Sequence, residues 1–163
     1  MAPPSPMLHL VCGKIAAGKS TLTTQIARAP HTILVAEDHW LATLYPGEQT
    51  TLADYVRNAS RLRAAIGPHL VDLLRTGVSV VLDFPANTPS SRAWMRALAD
   101  QAGCAHQLHY LDVPDAICLE RLHHRNRAGT HQFAVSDADF ALFTERFVAP
   151  STDEGLDIII HRT

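Results

Sequence analysis

Eight residues constrain this chain more than any others: Gly13-Lys14-Ile15-Ala16-Ala17-Gly18-Lys19-Ser20. They satisfy GxxxxGK[ST], and their surroundings supply the context that pattern needs. "MLHLVCG" is a short apolar run closing on glycine, which reads as a buried strand ending near Cys12. From Gly18 to Ala29, Leu22, Ile26 and Ala29 recur at helical spacing until Pro30 stops the run. In a strand, loop and helix of this kind the loop N–H groups converge on phosphate oxygens, and the positive helix end adds attraction. Gly13, Lys14, Ile15, Ala16, Ala17, Gly18, Lys19, Ser20 and Thr21 are therefore the candidate nucleotide-binding residues, with ATP as the expected ligand.

The two lysines of the chain, Lys14 and Lys19, both lie in this stretch, whereas every other strongly basic side chain is arginine. A flexible ammonium can lie inside the loop and reach the outer phosphates where a planar guanidinium cannot, which accounts for Lys19. Ser20 offers a hydroxyl to Mg2+. Lys14 occupies a variable slot of the pattern and is expected to be a bystander.

The rest of the chain alternates strands and helices. "TILVA" is a second buried strand, and a helical region follows from about Leu52 to Arg75. Thr51 and Asp54 have capping spacing at its start, and Gly67-Pro68 is expected to divide it into two helices. "VSVVLDF", "HQLHYLDV" and "LDIII" read as further strands, separated by helices over "PSSRAWMRALADQAG", Pro114 to about Asn126, and "SDADFALFTERF". Five apolar strands between helices imply a mainly parallel sheet covered on both faces, the α/β class. Asp83 stands directly beyond the apolar residues of the third strand. There it either reaches the magnesium and its waters or serves as a cap or turn residue.

At 163 residues the chain is expected to form a single domain over 1–163, with residues 1–6 a flexible leader. The net charge of −2 gives no general attraction to nucleic acid, which disfavours such a partner but leaves it open. Cys12, Cys104 and Cys118 are odd in number and widely spaced, suggesting neither disulfides nor a zinc site. A cytoplasmic protein is expected, without signal peptide, membrane span or evident obligate protein partner. His106 and His109, His123 and His124 read as solvated side chains rather than metal ligands.

The phosphate loop and this order of elements resemble the P-loop kinases, in particular the small single-domain kinases related to chloramphenicol phosphotransferase, polynucleotide kinase and zeta-toxin kinases. The resemblance implies a P-loop NTPase three-layer sandwich with a five-stranded sheet and a short arginine lid at about 125–136. It implies that an acidic residue just after the second strand accepts the proton of the substrate hydroxyl. "LVAEDHW" puts Glu37 and Asp38 there, and Asp38 matches best; capping of the following helix is its other reading. In "LERLHHRNRAG" the resemblance makes Arg121 and Arg125 lid arginines that stabilise the transferred phosphoryl group, while a basic helix end complementing its dipole is the alternative.

The same resemblance assigns acceptor binding to the region between strands two and three. Arg57 and Arg61 share a helical face there, Arg63 is close by, and Trp40 and Tyr45 offer flat apolar surface. An exposed helix face with two core aromatics fits the same residues. Asn87 and Arg92, in the turn beyond Asp83, join the substrate candidates. No NKxD motif for guanine is present. The expected activity is an ATP-dependent phosphotransferase acting on a hydroxyl of a small molecule. A nucleoside or oligonucleotide 5′-hydroxyl kinase is the first alternative, and a nucleotide-binding regulator or ATPase switch without an acceptor is the second.

Overall fold

The computed structural model describes residues 5–129 and 135–162. The leader expected over 1–6 falls mostly outside these residues, and so does the centre of the lid expected over 125–136. The elements run β1 (Met7–Gly13), α1 (Lys19–Ile26), β2 (Thr32–Ala36), α2 (Glu37–Leu44), α3 (Leu52–Arg75), β3 (Ser79–Asp83), α4 (Pro89–Ala102), β4 (Ala105–Asp112), α5 (Asp115–Ala128), α6 (Asp137–Arg146), a 3-10 turn (Thr152–Glu154) and β5 (Ile158–Arg162). The five strands form one sheet in the order β2-β3-β1-β4-β5, and every pairing is parallel. This is the expected α/β architecture, a P-loop NTPase-like sheet between helical layers.

Alternation along the strands divides the core. Leu8, Leu10 and Cys12 of β1 point into the larger cluster with Leu62, Ile66, Leu70 and Leu74 of α3 and Met95, Leu98 and Ala99 of α4. Val11 of β1 and Leu111 of β4 point the other way, where Ala17, Cys118, Leu122 and Phe140 close a smaller cluster. Several sequence signals operate as expected. Thr51 Oγ1 accepts from Asp54 N at 3.1 Å in a capping box. Ser136 Oγ accepts from Asp139 N at 3.1 Å, and Gly103 ends α4 in the left-handed region at φ 68°.

The expected division at Gly67-Pro68 is not observed. α3 is one helix of 24 residues with Pro68 inside it and exposed to solvent. A proline in a helix interior costs about 3 kcal/mol. Past it, however, Leu70, Val71 and Leu74 are all buried, each gaining roughly 1.5–3 kcal/mol by leaving water. Continuity of the apolar face outweighs the local break signal.

Three histidines described as solvated or left unassigned form a row across the sheet. His9 Nδ1 lies 3.1 Å from His109 Nε2, and His109 Nδ1 lies 3.1 Å from His161 Nε2. His109 is only 7 % exposed, so its reading as a solvated side chain is corrected. His106 accepts from Asp157 N at 3.2 Å, and His123 contacts Asp137 at 2.6 Å. No described helix is long and apolar enough to cross a membrane.

Candidate phosphate-binding site

Parallel pairing places the carboxyl ends of β1, β2 and β3 at one edge. The register aligns Ala36 with Asp83, so Asp38, two residues beyond Ala36, emerges beside Asp83. The phosphate loop leaves β1 at the same edge. Ligands of open α/β sheets bind in this crevice.

The loop's two glycines answer different needs. A Cβ on Gly13 would lie 3.2 Å from Ala17 Cβ and 3.3 Å from Leu111 Cβ, so the position is limited by space. Gly18, the N-cap of α1, has φ 105° and is limited by conformation. Ala16 also has positive φ, at 62°. No side chain caps α1, so its first-turn N–H groups are left facing the loop. Lys19 Nζ lies inside the turn, donating to Gly13 O at 2.8 Å and Lys14 O at 2.9 Å. Burial draws the Lys19 pKa below its usual value, the nearby Asp83 carboxylate opposes that shift, and Arg125 adds to it.

Ser20 Oγ donates to Asp83 Oδ2 at 3.4 Å. Desolvation raises the Asp83 pKa, the negative charge of Asp38 raises it further, and Lys19 pulls it down. A hydroxyl and a carboxylate side by side are hard oxygen donors of the kind Mg2+ takes while keeping waters and phosphate oxygens as its other ligands. Among the described residues no group of three or more His, Cys, Asp or Glu is arranged to hold a metal ion.

Glu37 and Asp38 are the first two residues of α2, whose N-cap is Ala36 with no side-chain cap. Asp38 therefore does not cap the helix. It is exposed, and its charge acts on Asp83, Glu37 and Tyr55. Glu37 is wholly buried: Tyr55 Oη donates to its Oε1, and Arg63 Nη2 lies 3.6 Å from its Oε2. The Arg63 guanidinium lies over the rings of Trp94 and Phe84, at 5.1 and 5.9 Å from their centroids.

α5 brings Arg121 to the loop, where Nη1 donates to Ala17 O at 3.2 Å. Arg125 is one turn further on; its Nε is buried and meets no acceptor among the described residues. Arg125 thus lies within α5, not in a lid loop, since the helix continues to Ala128. Asn87 Oδ1 accepts from Gly13 N at 3.5 Å, which places it against the loop. Thr21 is exposed on α1 beside Ser20, in an open groove of about 350 Å³ that Thr24, Gln25 and Arg28 also line.

The remaining acceptor candidates divide. Trp40 is 41 % exposed on α2, and Tyr45 packs against the larger core. Arg57 is exposed and paired with Asp54 at 3.0 Å, and Arg61 is exposed on the solvent side of α3. Arg92 is not at the crevice. It is buried, with Nε and Nη2 donating to Glu154 at 2.7 and 3.1 Å and Nη1 donating to Ala86 O and Val148 O at 2.9 Å each. The sequence reading missed Tyr55 and the placing of Arg63, since neither stands in a motif. It also missed Asp115, whose carboxylate pairs with Lys14.

Residues 8–150 match the family described as AAA domain. No curated protein matches the chain. Among solved structures, a Chloroflexus aurantiacus protein assigned as a kinase is similar over 97 % of this chain and 85 % of its own, with 20 % identity and TM-score 0.72. Chaetomium thermophilum Kti12, in complex with ADP-AlF3, is similar over 96 % of this chain and 89 % of its own, with 15 % identity and TM-score 0.70. The Mycobacterium tuberculosis APS kinase CysC, in complex with AMPPNP and APS, covers 98 % of this chain and 90 % of its own, with 19 % identity and TM-score 0.65. At these identities the likeness is one of fold.

Proposed function

Because the chain belongs to the AAA domain family, we propose that it is an ATP-dependent phosphotransferase that moves the γ-phosphoryl group to a hydroxyl of a small molecule. The observation that carries this reading is the grouping of Lys19, Ser20 and Asp83, with Asp38 beside them, at one edge of the sheet. The adenine nucleotides held by CysC and Kti12 support the choice of ATP, and the APS held by CysC supports a small acceptor.

In this mechanism the loop N–H groups and the first turn of α1 bind the phosphates. Lys19 exchanges the carbonyls of Gly13 and Lys14 for β- and γ-phosphate oxygens. Ser20 and Asp83 would hold magnesium, which would supply positive charge against that of the outer phosphates. Asp38 orients the acceptor hydroxyl and accepts its proton, and its exposure suits a group that must meet a substrate. Glu37 is excluded from that task by its burial under Tyr55. Arg121 and Arg125 stabilise charge on the phosphoryl group in transfer. Asn87, against Gly13 N, and Trp40, exposed on the helix that carries Asp38, are the acceptor contacts of this reading, with Arg57 and Arg61 exposed on α3. The free thiols of Cys12, Cys104 and Cys118 suit a reducing cytoplasm.

The test is a magnesium-ATP assay across chloramphenicol-like alcohols, aminoglycosides, sugars, nucleosides and oligonucleotides, with Lys19→Ala as control. Transfer to a small alcohol that Lys19→Ala abolishes while remaining folded is the expected result. Transfer confined to nucleosides or oligonucleotides favours the 5′-hydroxyl kinase, and ATP turnover without any acceptor favours the ATPase switch. Normal ATP consumption by Lys19→Ala overturns the site assignment.

A further inference from the structure

Lys14 forms an ion pair with Asp115, the first residue of α5, and the two side chains are 15 % and 61 % exposed. The phosphate-loop pattern asks for no particular side chain at Lys14, so this contact belongs to this chain rather than to the motif. Besides the Ser20–Asp83 contact, three side chains among the described residues reach Gly13–Ala17 from outside the loop. Asn87 accepts from Gly13 N, Arg121 donates to Ala17 O, and Asp115 holds Lys14. Two of the three come from α5.

These contacts differ in what a nucleotide asks of them. Lys19 and Arg121 are both bonded to loop carbonyls, and a phosphate oxygen in the loop competes with those carbonyls for them. The Lys14–Asp115 pair uses neither cation and none of those carbonyls, so it can persist through the exchange. Lys14 is also where the loop turns: its carbonyl accepts from Ala17 N at 3.1 Å and from Lys19 Nζ at 2.9 Å. Between them lies Ala16, held at φ 62°, a conformation a non-glycine residue keeps only when its surroundings impose it.

We propose that Lys14 and Asp115 are a clasp that fixes the loop against α5 in its phosphate-accepting shape and thereby raises nucleotide affinity. Lys14 is then a positioning residue acting through the loop backbone, and Asp115 is its anchor. The inference rests on the nucleotide-binding reading of the site. Its rival is that Lys14 attracts phosphate by its charge alone, and the two predict opposite signs at Asp115. Removing the carboxylate loosens a clasp, whereas it leaves a lone cation less neutralised and so more attractive to an anion.

The experiment is titration of the full chain with a fluorescent ATP analogue, beside thermal unfolding, for the wild type, Lys14→Ala, Asp115→Asn, the reversed pair Lys14→Asp with Asp115→Lys, and Lys19→Ala. Lys14→Ala and Asp115→Asn are each expected to weaken binding about threefold, with little change in Tm, because an ion pair this exposed contributes little to global stability. The reversed pair is expected to recover most of the affinity. Tighter or unchanged binding by Asp115→Asn overturns the clasp, as does a loss of affinity accompanied by a large fall in Tm. Undiminished binding by Lys19→Ala instead overturns the reading of the site itself. Loss of binding by Lys19→Ala with Asp115→Asn unaffected removes the clasp alone.

Discussion

Glu37 and Asp38 are adjacent in the chain and lie in opposite environments: the first is wholly buried against Tyr55 and Arg63, the second is exposed and close enough to Asp83 to raise its pKa. This division separates a structural carboxylate from one that can meet a substrate. Asp38→Asn is therefore expected to keep nucleotide affinity while phosphoryl transfer falls about 100-fold or more. Glu37→Gln is expected to act mainly on stability. Titration with a nucleotide analogue and a transfer assay on the same preparations check this. Unchanged transfer by Asp38→Asn removes it as the base.

Asp83 carries a different balance. Its pKa is raised in the fold, chiefly by burial and then by Asp38, so the ionised form is less favourable folded than unfolded. The sign follows: ionised Asp83 opposes folding above its folded pKa, and the opposition fades as pH falls toward the unfolded value of 3.8. Asp83→Asn is expected to raise Tm at pH 7 while magnesium-dependent turnover is lost. A lower Tm, or turnover that survives, would contradict the paired assignment of Ser20 and Asp83.

His109 places an acid limit on stability. Burial, followed by the neighbouring His9 and His161, lowers its pKa from 6.5 to about 4. Above pH 6.5 it is neutral in both folded and unfolded chains. Between that pH and about 4 only the unfolded chain takes up the proton, so stability declines across this window by up to about 3 kcal/mol. His109→Phe is expected to flatten the acid limb of Tm measured from pH 7 to pH 4.5. An unaltered slope would mean the histidine row does not set that limb.

Arg92 is expected to be structural. Arg92→Met leaves Glu154 without its counter-charge and the carbonyls of Ala86 and Val148 without a donor. Removing one partner of a buried pair costs about 3–5 kcal/mol, which urea unfolding would read. Adding Glu154→Gln is expected to return part of the loss. A stable Arg92→Met protein with transfer abolished would instead return Arg92 to the substrate site.

The phosphate loop and the parallel sheet were legible in the sequence because each is written locally. A glycine pattern sits between a short apolar run and a 3.6-residue run, and four further apolar runs repeat the strand signal. The caps at Thr51 and Ser136 were legible for the same reason. What escaped was decided between distant segments. Pro68 reads as a break until the packing of Leu70 and Leu74 on β3 and α4 is known. Arg92 reads as a substrate contact until Glu154, far along the chain, reaches back to it. Lys14 reads as incidental until α5 places Asp115 beside it. At the candidate site the motif residues stand in one contiguous stretch, whereas the placing of Tyr55 and Arg63 depends on α3 folding over α2.

The unequal division of the core between the two faces of the sheet bears on how such a chain can change over evolutionary time. The larger cluster joins α3 and α4 to the sheet, whereas the loop and the arginine-bearing α5 rest on the smaller one. Substitutions on the α5 side therefore alter few of the contacts that keep the chain folded, and lineages can vary how the phosphates are gripped without first acquiring extra stability. Helix α3, which carries Arg57 and Arg61, has no such freedom, because its inner face is also the main core. A new acceptor specificity is most readily reached through the exposed α2 and the outer residues of α3, leaving the inner face of α3 conserved.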